Sequence, residues 1–277
     1  MKNSPVKRFL VRSHYSLKGV LCGLAPSNLK MLPSFMIIGA QKGGTTAIYD
    51  YLIDHPQVLA PWFKEADFFN RRRMFSSLED YSIEQYQSIF PLKVSQRLVQ
   101  RHLSRHVITG EASQYLSYQE APERILEALP DIKLIVLLRN PAMRAYSHYS
   151  MRRRYGWERQ TFEESFFREN SSKGMSESST YKFRGLYSTH LKWWFDCFSR
   201  DQFLILETDE VRENRSESYK LICDFLNIEK QFPNREITSN VGNYARPSSQ
   251  DIELWQNFYR PHNEDLFSLI DKKFDWN

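Results

Sequence analysis

The sequence predicts an α/β protein with a P-loop-like central parallel sheet flanked by helices. Three short apolar runs, at residues 35–38, 134–138 and 203–206, have the length of strands, and the first two each lead into a turn and a helix-forming segment. Unbroken apolar runs are typical of parallel strands that are covered on both faces. Strands that alternate with helices indicate right-handed crossovers, and ligands of such sheets bind outside the carboxyl ends of the strands.

A glycine-rich turn follows the first apolar run and reads Gly-Ala-Gln-Lys-Gly-Gly-Thr-Thr at residues 39–46. Backbone amides and the helix dipole at such a turn attract a negative group. A Walker-type loop reads G-x-x-x-x-G-K-[ST], with its lysine after the last glycine. Here Lys42 precedes Gly43 and Gly44, so the turn predicts an anion site that does not match the NTPase loop. A purely structural Gly-Gly-Thr turn is the alternative interpretation.

The second apolar run leads into Arg-Asn-Pro-Ala-Met-Arg-Ala-Tyr-Ser at residues 139–147. Pro141 suits the first turn of a helix, where its missing N–H costs nothing. In a P-loop NTPase this strand would end in an acidic residue that holds the metal. Arg139 stands there instead, which suits a phosphate and repels a divalent cation. Arg139 and Ser147 therefore predict a second phosphate site; a salt-bridged strand end and a solvated helix face are the alternatives.

The remaining elements follow along the chain. They are a turn at residues 55–61, helical structure at 79–106, a short strand at 107–113, and helices at 121–129 and 216–226. A serine-rich stretch at residues 171–180 has no periodicity, and we expect either a gate over the cleft or a plain surface linker there.

Length and composition favour a self-sufficient domain in a reducing compartment. A chain of 277 residues buries roughly three quarters of its unfolded surface, so it needs neither a metal nor a disulfide to be stable. Its cysteines, Cys22, Cys197 and Cys223, lie far apart and are expected to be reduced and to hold no metal. No apolar run has the length of a membrane span, and no signal-peptide pattern is present, so a cytoplasmic location is expected.

The positive net charge of +5 comes from the start of the chain. Residues 1–30 contain six basic residues and no acidic one, whereas the remainder holds 32 basic and 33 acidic groups. We therefore predict a basic arm at residues 1–30 and a single domain at residues 31–277, without a nucleic-acid surface. Apolar side chains are interleaved with the cations of the arm, which predicts peripheral contact with an anionic membrane. A solvated arm is the alternative.

Together with these motifs, several further strings carry a family resemblance over residues 33–276. They are His-Pro at 55–56, Lys-Glu-Ala-Asp-Phe-Phe at 64–69, Gly-Glu-Ala-Ser at 110–113, and the segments 184–194 and 258–276. The sequence resembles the sulfotransferases that use 3′-phosphoadenosine 5′-phosphosulfate (PAPS), most of all the branch of heparan sulfate sulfotransferases and their bacterial relatives. The resemblance implies the PAPS sulfotransferase fold, an enzyme of the EC 2.8.2 class and PAPS as the sulfuryl donor, with no metal.

The resemblance also implies the residues that bind the donor. The turn at 39–46 resembles the loop that holds the 5′-phosphosulfate, and the residues implied are Lys42, Gly43, Gly44, Thr45 and Thr46. The motif at 139–147 resembles the 3′-phosphate site, which implies Arg139 and Ser147. The stretch at 241–246 is weakly similar to a later phosphate loop of the family, which implies Arg246 as a further ligand.

Two catalytic roles are implied as well. The family places its base in E-x-x-F-F, where this chain has Glu65, and a carboxylate that removes the proton of an attacking hydroxyl contributes roughly 10²–10⁴-fold. Lys42 would neutralise the charge that develops on the leaving bisphosphate. The expected acceptor is a hydroxyl of a carbohydrate, glycolipid or small molecule. A surface salt bridge of Glu65 with Lys64 or Arg71 is the alternative.

The chain departs from the 3-O-sulfating heparan sulfate enzymes at three places. Those enzymes show E-x-H-F-F-D and a lysine after Gly-Glu, where this chain has Asp67, Asn70 and Ala112. A helper network and a glycan-binding cation are thus missing, and the body of the protein is nearly neutral. We therefore do not expect a highly sulfated glycosaminoglycan as the acceptor.

Two other functions remain open at the level of sequence. One is a nucleotide-dependent phosphotransferase, which would require a metal, and the other is a nucleotide-binding relative without catalytic activity. The order of lysine and glycines in the loop and the arginine at the strand end both count against the phosphotransferase.

Overall fold

The computed structural model describes residues 25–62, 64–70, 82–168, 181–231 and 247–276. Three sequence predictions lie outside these residues. They are the greater part of the basic arm, the serine-rich stretch at 171–180, and Arg246.

A five-stranded parallel sheet forms the centre of the described structure, with the spatial order β2-β3-β1-β4-β5. Its strands are β1 (Phe35–Gly39), β2 (Val58–Leu59), β3 (Ile108–Ala112), β4 (Lys133–Leu138) and β5 (Phe203–Glu207). β1 lies between β3 and β4, and every pairing between neighbouring strands is parallel. The fold class predicted from the sequence is confirmed.

Helices cover both faces of this sheet. They are α1 (Thr45–Ile53), α2 (Ile83–Gln87), α3 (Lys93–Leu103), α4 (Ala121–Ala128), α5 (Pro141–Arg154), α6 (Phe162–Arg168), α7 (Tyr187–Cys197), α8 (Thr208–Glu213), α9 (Arg215–Leu226) and α10 (Ser249–Ile270). None of the helices in the described ranges is long and apolar enough to cross a membrane.

The strand residues divide between two hydrophobic clusters, as the pleat requires, because successive side chains point to opposite faces. Met36 and Leu134 pack in one cluster with Trp194 of α7, and the neighbouring Ile37 and Ile135 pack in the other with α1 and α9. Both faces are therefore buried, which explains why β1 and β4 read as unbroken apolar runs.

Helical structure was expected at residues 79–106, and the described part of this range, from residue 82, contains two separate helices, α2 and α3. Pro91 lies between them and has no N–H to continue a helix. The residues between the two helices contact the segment before β1. Lys30 and Leu92 form an antiparallel bridge, and the Met31 amide donates to the Pro91 carbonyl at 2.9 Å. Lys30, the last cation of the predicted arm, is only 2% exposed.

Candidate functional site

The glycine-rich turn lies against the carboxyl end of β4. The Ala40 amide donates to the Leu137 carbonyl at 2.7 Å. A Cβ on Gly43 would lie 2.5 Å from that same carbonyl oxygen, so no side chain fits at this position. Only a glycine lets the two backbones approach this closely.

The turn then delivers the start of α1 to the edge of the sheet. Gly44 caps the helix with φ of 90°, a left-handed conformation that favours glycine. Thr45 and Thr46 open α1, where the first amides have no acceptor four residues earlier within the helix. The Gly43 amide donates to the Ala40 carbonyl at 2.9 Å, a bond within the loop itself.

A buried threonine connects the glycine-rich turn to the end of β4. The Thr208 hydroxyl lies 2.8 Å from the Gly43 carbonyl and 2.7 Å from the Leu138 carbonyl. Thr208 is the first residue of α8, directly after β5, and is 2% exposed. The ends of β1, β4 and β5 therefore meet at one hydroxyl.

The turn after β4 is fixed by its own neighbours. The Asn140 side chain accepts from the amides of Ala142 and Met143 at the start of α5, and its amide group donates to the Trp276 carbonyl at 3.0 Å. The Arg139 carbonyl accepts from the Tyr187 hydroxyl at 3.0 Å. The backbone at Arg139 is thus held while its Nε, which is buried, has no hydrogen-bond partner among the described residues.

The two sequence motifs converge on α5. Ser147 is buried on this helix, and Met151 lies one turn further along. Lys42 Nζ, from the glycine-rich turn, lies 3.9 Å from Met151 Sδ. The structure therefore brings Lys42 to the helix that carries Ser147, as the prediction of one continuous site requires.

Positive charge accumulates around this helix. Burial, and next the charges of Arg144, Arg184, Arg152 and Lys42, hold the pKa of His148 well below its usual range. Arg144 is fully buried, and its Nε and Nη1 have no hydrogen-bond partner in the described part of the chain. Such a surplus of positive charge suits a ligand with several phosphate or sulfate groups.

Segment 64–70 lies at the carboxyl end of β3 and carries Glu65. The Glu65 amide donates to the Ala112 carbonyl at 3.1 Å, and its side chain is 42% exposed. Lys64 Nζ lies 3.7 Å from Glu65 Oε1, so the salt bridge considered as an alternative is present as a long contact. The Lys64 side chain is only 20% exposed, whereas the Glu65 carboxylate remains accessible to solvent.

Lys64 is a site residue that the sequence did not identify as functional. Its Nζ donates to the Thr46 hydroxyl at 2.6 Å, which links segment 64–70 to the start of α1. Burial lowers the pKa of Lys64, and the charge of Glu65 opposes this effect. Its position beside Glu65 in the Lys-Glu string was the only signal available in the sequence.

A buried carboxyl lies behind segment 64–70. Glu111 of β3 is 0% exposed and accepts hydrogen bonds from Tyr86 at 2.8 Å, Ser113 at 3.0 Å and Tyr115 at 3.2 Å. Burial raises the pKa of Glu111 to about 7, against the opposing effect of these three hydroxyls. In the sequence, Glu111 stands out only as part of the Gly-Glu-Ala-Ser string at residues 110–113.

Two of the three residues that depart from the 3-O-sulfating enzymes contact each other. The Asn70 side-chain amide donates to the Asp67 carboxylate at 3.2 Å. Ala112 is buried in β3, where its carbonyl accepts from the Glu65 amide.

Among the described residues, no group of three or more His, Cys, Asp or Glu side chains is arranged to hold a metal ion.

Comparison with known proteins identifies the family and supports the fold. A sequence model of the family described as "Sulfotransferase domain" matches residues 32–246. The human bifunctional heparan sulfate N-deacetylase/N-sulfotransferase 2 is 31% identical over 208 residues, which is 71% of this chain and 22% of that protein. The mouse heparan sulfate glucosamine 3-O-sulfotransferase 3A1 is 27% identical over 94% of this chain and 68% of its own length.

Among solved structures, a sulfotransferase from Alicyclobacillus acidocaldarius is similar with a TM-score of 0.69 and 29% sequence identity. The similarity covers 89% of this chain and 99% of that one. The chain spans about a fifth of the length of the N-deacetylase/N-sulfotransferases, because the match is confined to 22% of those larger proteins.

Proposed function

Because the chain belongs to the sulfotransferase domain family, we propose that it transfers the sulfuryl group of PAPS to a hydroxyl of an acceptor. The observation that carries this proposal is the convergence of two motifs: Lys42 of the glycine-rich turn reaches α5, the helix that carries Ser147. Phosphate-binding motifs at both ends of one cleft suit a donor with a phosphosulfate at one end and a phosphate at the other.

The described residues fit such a donor. Lys42 and the first turn of α1, with the Thr45 and Thr46 hydroxyls, would hold the 5′-phosphosulfate. Arg139, whose buried Nε lacks a partner among the described residues, would bind the 3′-phosphate with Ser147. Arg246, which lies outside the described residues, remains a proposed ligand of the same phosphate.

Glu65 is the proposed base. Its carboxylate takes the proton of the acceptor hydroxyl while that oxygen bonds to sulfur, and the bond from sulfur to the phosphate oxygen breaks with its electron pair on the leaving bisphosphate. Lys42 lies on the phosphate side and would stabilise the charge that appears there. Lys64 contacts both Thr46, beside the proposed phosphosulfate site, and Glu65, the proposed base. It would therefore keep the base at a fixed distance from the sulfuryl group.

The acceptor is proposed to be a carbohydrate or glycolipid hydroxyl, or that of a small molecule. The curated relatives are named for heparan sulfate, which supports a carbohydrate. Asp67 and Asn70 pair with each other, and Ala112 stands where a cation would contact an acidic chain. A weakly sulfated or neutral carbohydrate therefore fits the site better than a highly sulfated one.

Radiolabelled PAPS tests the proposal directly. We expect transfer to at least one of unsulfated heparan sulfate chains, N-sulfated chains, a neutral glycan or a glycolipid, undiminished by EDTA. Glu65→Gln should lower turnover by roughly 10²–10⁴-fold while leaving affinity for adenosine 3′,5′-bisphosphate nearly unchanged. Magnesium-dependent phosphoryl transfer from ATP would favour the phosphotransferase instead, and tight bisphosphate binding without any transfer would favour a non-catalytic relative.

The basic arm is proposed to bind an anionic membrane surface, with the domain in the cytoplasm. Each basic residue near such a surface contributes about 1 kcal/mol, and salt weakens the attraction. Removal of residues 1–24 should abolish sedimentation with phosphatidylserine vesicles at low salt and spare bisphosphate binding. Equal sedimentation of both proteins would contradict the membrane contact.

A further inference from the structure

We propose that Glu111 is a positioning residue for sulfuryl transfer, which acts through Ser113 and Tyr115 to hold segment 64–70 and thereby aim Glu65. The inference rests on the proposed role of Glu65 as the base. The carboxyl of Glu111 is fully buried and does not face the cleft, so its action is transmitted through other side chains.

Two parallel arms connect the carboxyl to the backbone of segment 64–70. In the first, the Ser113 hydroxyl donates to Glu111 Oε2 at 3.0 Å and accepts from the Asp67 amide at 3.2 Å. In the second, the Tyr115 hydroxyl donates to Glu111 Oε1 at 3.2 Å and accepts from the Phe68 amide at 2.9 Å. Two successive amides of the segment are thus tied to one carboxyl group.

The number of protons fixes the direction of both arms. A hydroxyl has one proton, so a hydroxyl that donates to Glu111 must turn its lone pairs towards the segment. The carboxylate offers only acceptors, and it therefore orients Ser113 and Tyr115 in the same sense. Without this acceptor each hydroxyl is free to rotate, and its bond to the segment loses its directional support.

The backbone of the segment shows why such support is needed. Glu65 has φ of 59° and Asp67 has φ of 49°, both in the left-handed region that non-glycine residues rarely adopt. Conformations of this kind cost free energy and persist only where surrounding contacts impose them. The amides of Glu65, Asp67 and Phe68 donate to Ala112, Ser113 and Tyr115, respectively. These bonds are contacts of that kind, and they hold both residues with positive φ.

Tyr86 provides a matched control within the same network. Its hydroxyl donates to Glu111 Oε1 at 2.8 Å, and its ring packs on Phe68 and Phe69 at centroid distances of 5.0 and 4.8 Å. Tyr86→Phe removes one hydroxyl from the carboxyl, keeps the ring and leaves both arms in place. A general loss of network stability would appear in Tyr86→Phe, whereas a loss of positioning would not.

Amide hydrogen exchange, which requires no acceptor, tests the arms first. We expect Ser113→Ala to accelerate exchange at the Asp67 amide, Tyr115→Phe at the Phe68 amide, and Glu111→Gln, which replaces one acceptor oxygen by a donor, at one or both of these amides, each by about tenfold or more. Tyr86→Phe should leave both amides close to wild type. Equal acceleration in all four variants, or in none, would overturn the proposal.

A double-mutant cycle with Glu65→Gln then tests the link to catalysis, with bisphosphate affinity and thermal unfolding as checks of folding. In wild type, Ser113→Ala and Tyr115→Phe should lower turnover about tenfold; in the Glu65→Gln background they should lower it less than twofold, because no base is left to position. Equal losses in both backgrounds would reduce Glu111 to a structural role.

Wild-type turnover of the Glu65→Gln protein itself would instead refute Glu65 as the base, so failure of the base and failure of the positioning role are distinguishable. If Glu111→Gln does not fold, the Ser113 and Tyr115 variants still decide.

Discussion

The two sides of the candidate site are built in different ways. On the donor side, residues 39–46 and Arg139 lie at strand ends and helix starts, and backbone contacts such as the Ala40 amide to the Leu137 carbonyl hold them. On the other side, segment 64–70 contains no helix or strand, and side-chain hydroxyls on a buried carboxyl hold it. The donor side therefore depends on the sheet itself, and the side of the base depends on a few individual side chains.

This difference suggests how the two sides tolerate change. A donor that is the same for a whole family can be bound by backbone and by a few cations at fixed places on a scaffold. A base that must meet different acceptors lies on a short segment whose supports can be altered one by one. Substitutions on the donor side should thus affect donor binding and bond breaking, and those behind segment 64–70 should affect turnover alone.

On the donor side, the largest effect is expected from Lys42→Ala. The charge that Lys42 meets is greatest in the transition state, so turnover should fall by roughly 10²–10³-fold, and affinity for adenosine 3′,5′-bisphosphate should fall much less. Steady-state kinetics and calorimetry measure the two quantities separately. Unchanged turnover with only a raised Michaelis constant would remove Lys42 from catalysis and leave it as a binding residue.

Arg139→Ala and Ser147→Ala should come next and should act on donor choice. The loss of a charge-assisted contact costs roughly 1.5–3 kcal/mol, or about ten- to a hundredfold in affinity for PAPS, with little change for adenosine 5′-phosphosulfate. Arg154→Ala, an exposed arginine on the same helix, is the matched control and should leave both affinities unchanged. Equal losses for both nucleotides would mean that Arg139 and Ser147 only support the fold.

Thr208→Val tests whether backbone contacts alone hold the donor side together. The substitution keeps the shape but removes the hydroxyl that meets the Gly43 and Leu138 carbonyls, which should cost roughly 1–3 kcal/mol in the free energy of unfolding. Bisphosphate affinity should fall in parallel, because the turn loses its tie to β4. Thr208→Ser, which retains the hydroxyl, should stay near wild type in both measurements. A stable Thr208→Val protein with full affinity would show that this tie is dispensable.

A separate prediction concerns the response of stability to pH through His190, a fully buried histidine of α7. Burial lowers the pKa of His190 from 6.5 to about 3, so the unfolded chain binds a proton there that the folded protein does not. Stability from this group is present above pH 6.5 and is lost as pH falls towards 3, by at most about 1.4 kcal/mol per pH unit. His190→Phe should therefore gain stability relative to wild type as pH falls through this window in denaturant titrations.

Glu111, behind segment 64–70, changes stability with pH in the opposite direction to His190, because its pKa is raised from 4.5 to about 7. The folded protein binds this proton more tightly than the unfolded chain, so its contribution to stability falls as pH rises from 4.5 to 7. The pH dependence of His190→Phe relative to wild type isolates the histidine from this opposing change. A constant difference between the two proteins across pH 4–7 would contradict the assignment to His190.

The sequence by itself determined the parallel sheet and the local structure of the proposed donor side. Unbroken apolar runs, a Gly-Gly-Thr turn and an Arg-Asn-Pro start of a helix are contiguous patterns, and each specifies its local structure through burial, backbone freedom or capping. Because the carboxyl ends of parallel strands meet at one edge, these local patterns also predict one site for Lys42, Arg139 and Ser147.

Only the tertiary structure decided how segment 64–70 is held. The bonds from Asp67 to Ser113 and from Phe68 to Tyr115 span 46 and 47 residues, and nothing in either local sequence specifies the other partner. The contact of Lys64 with Thr46 has the same origin, since it joins chain segments that meet only after folding. Periodicity and motifs report what neighbours along the chain can form, whereas the bonds from Ser113 and Tyr115 to segment 64–70 exist only once the two segments have met in the folded protein.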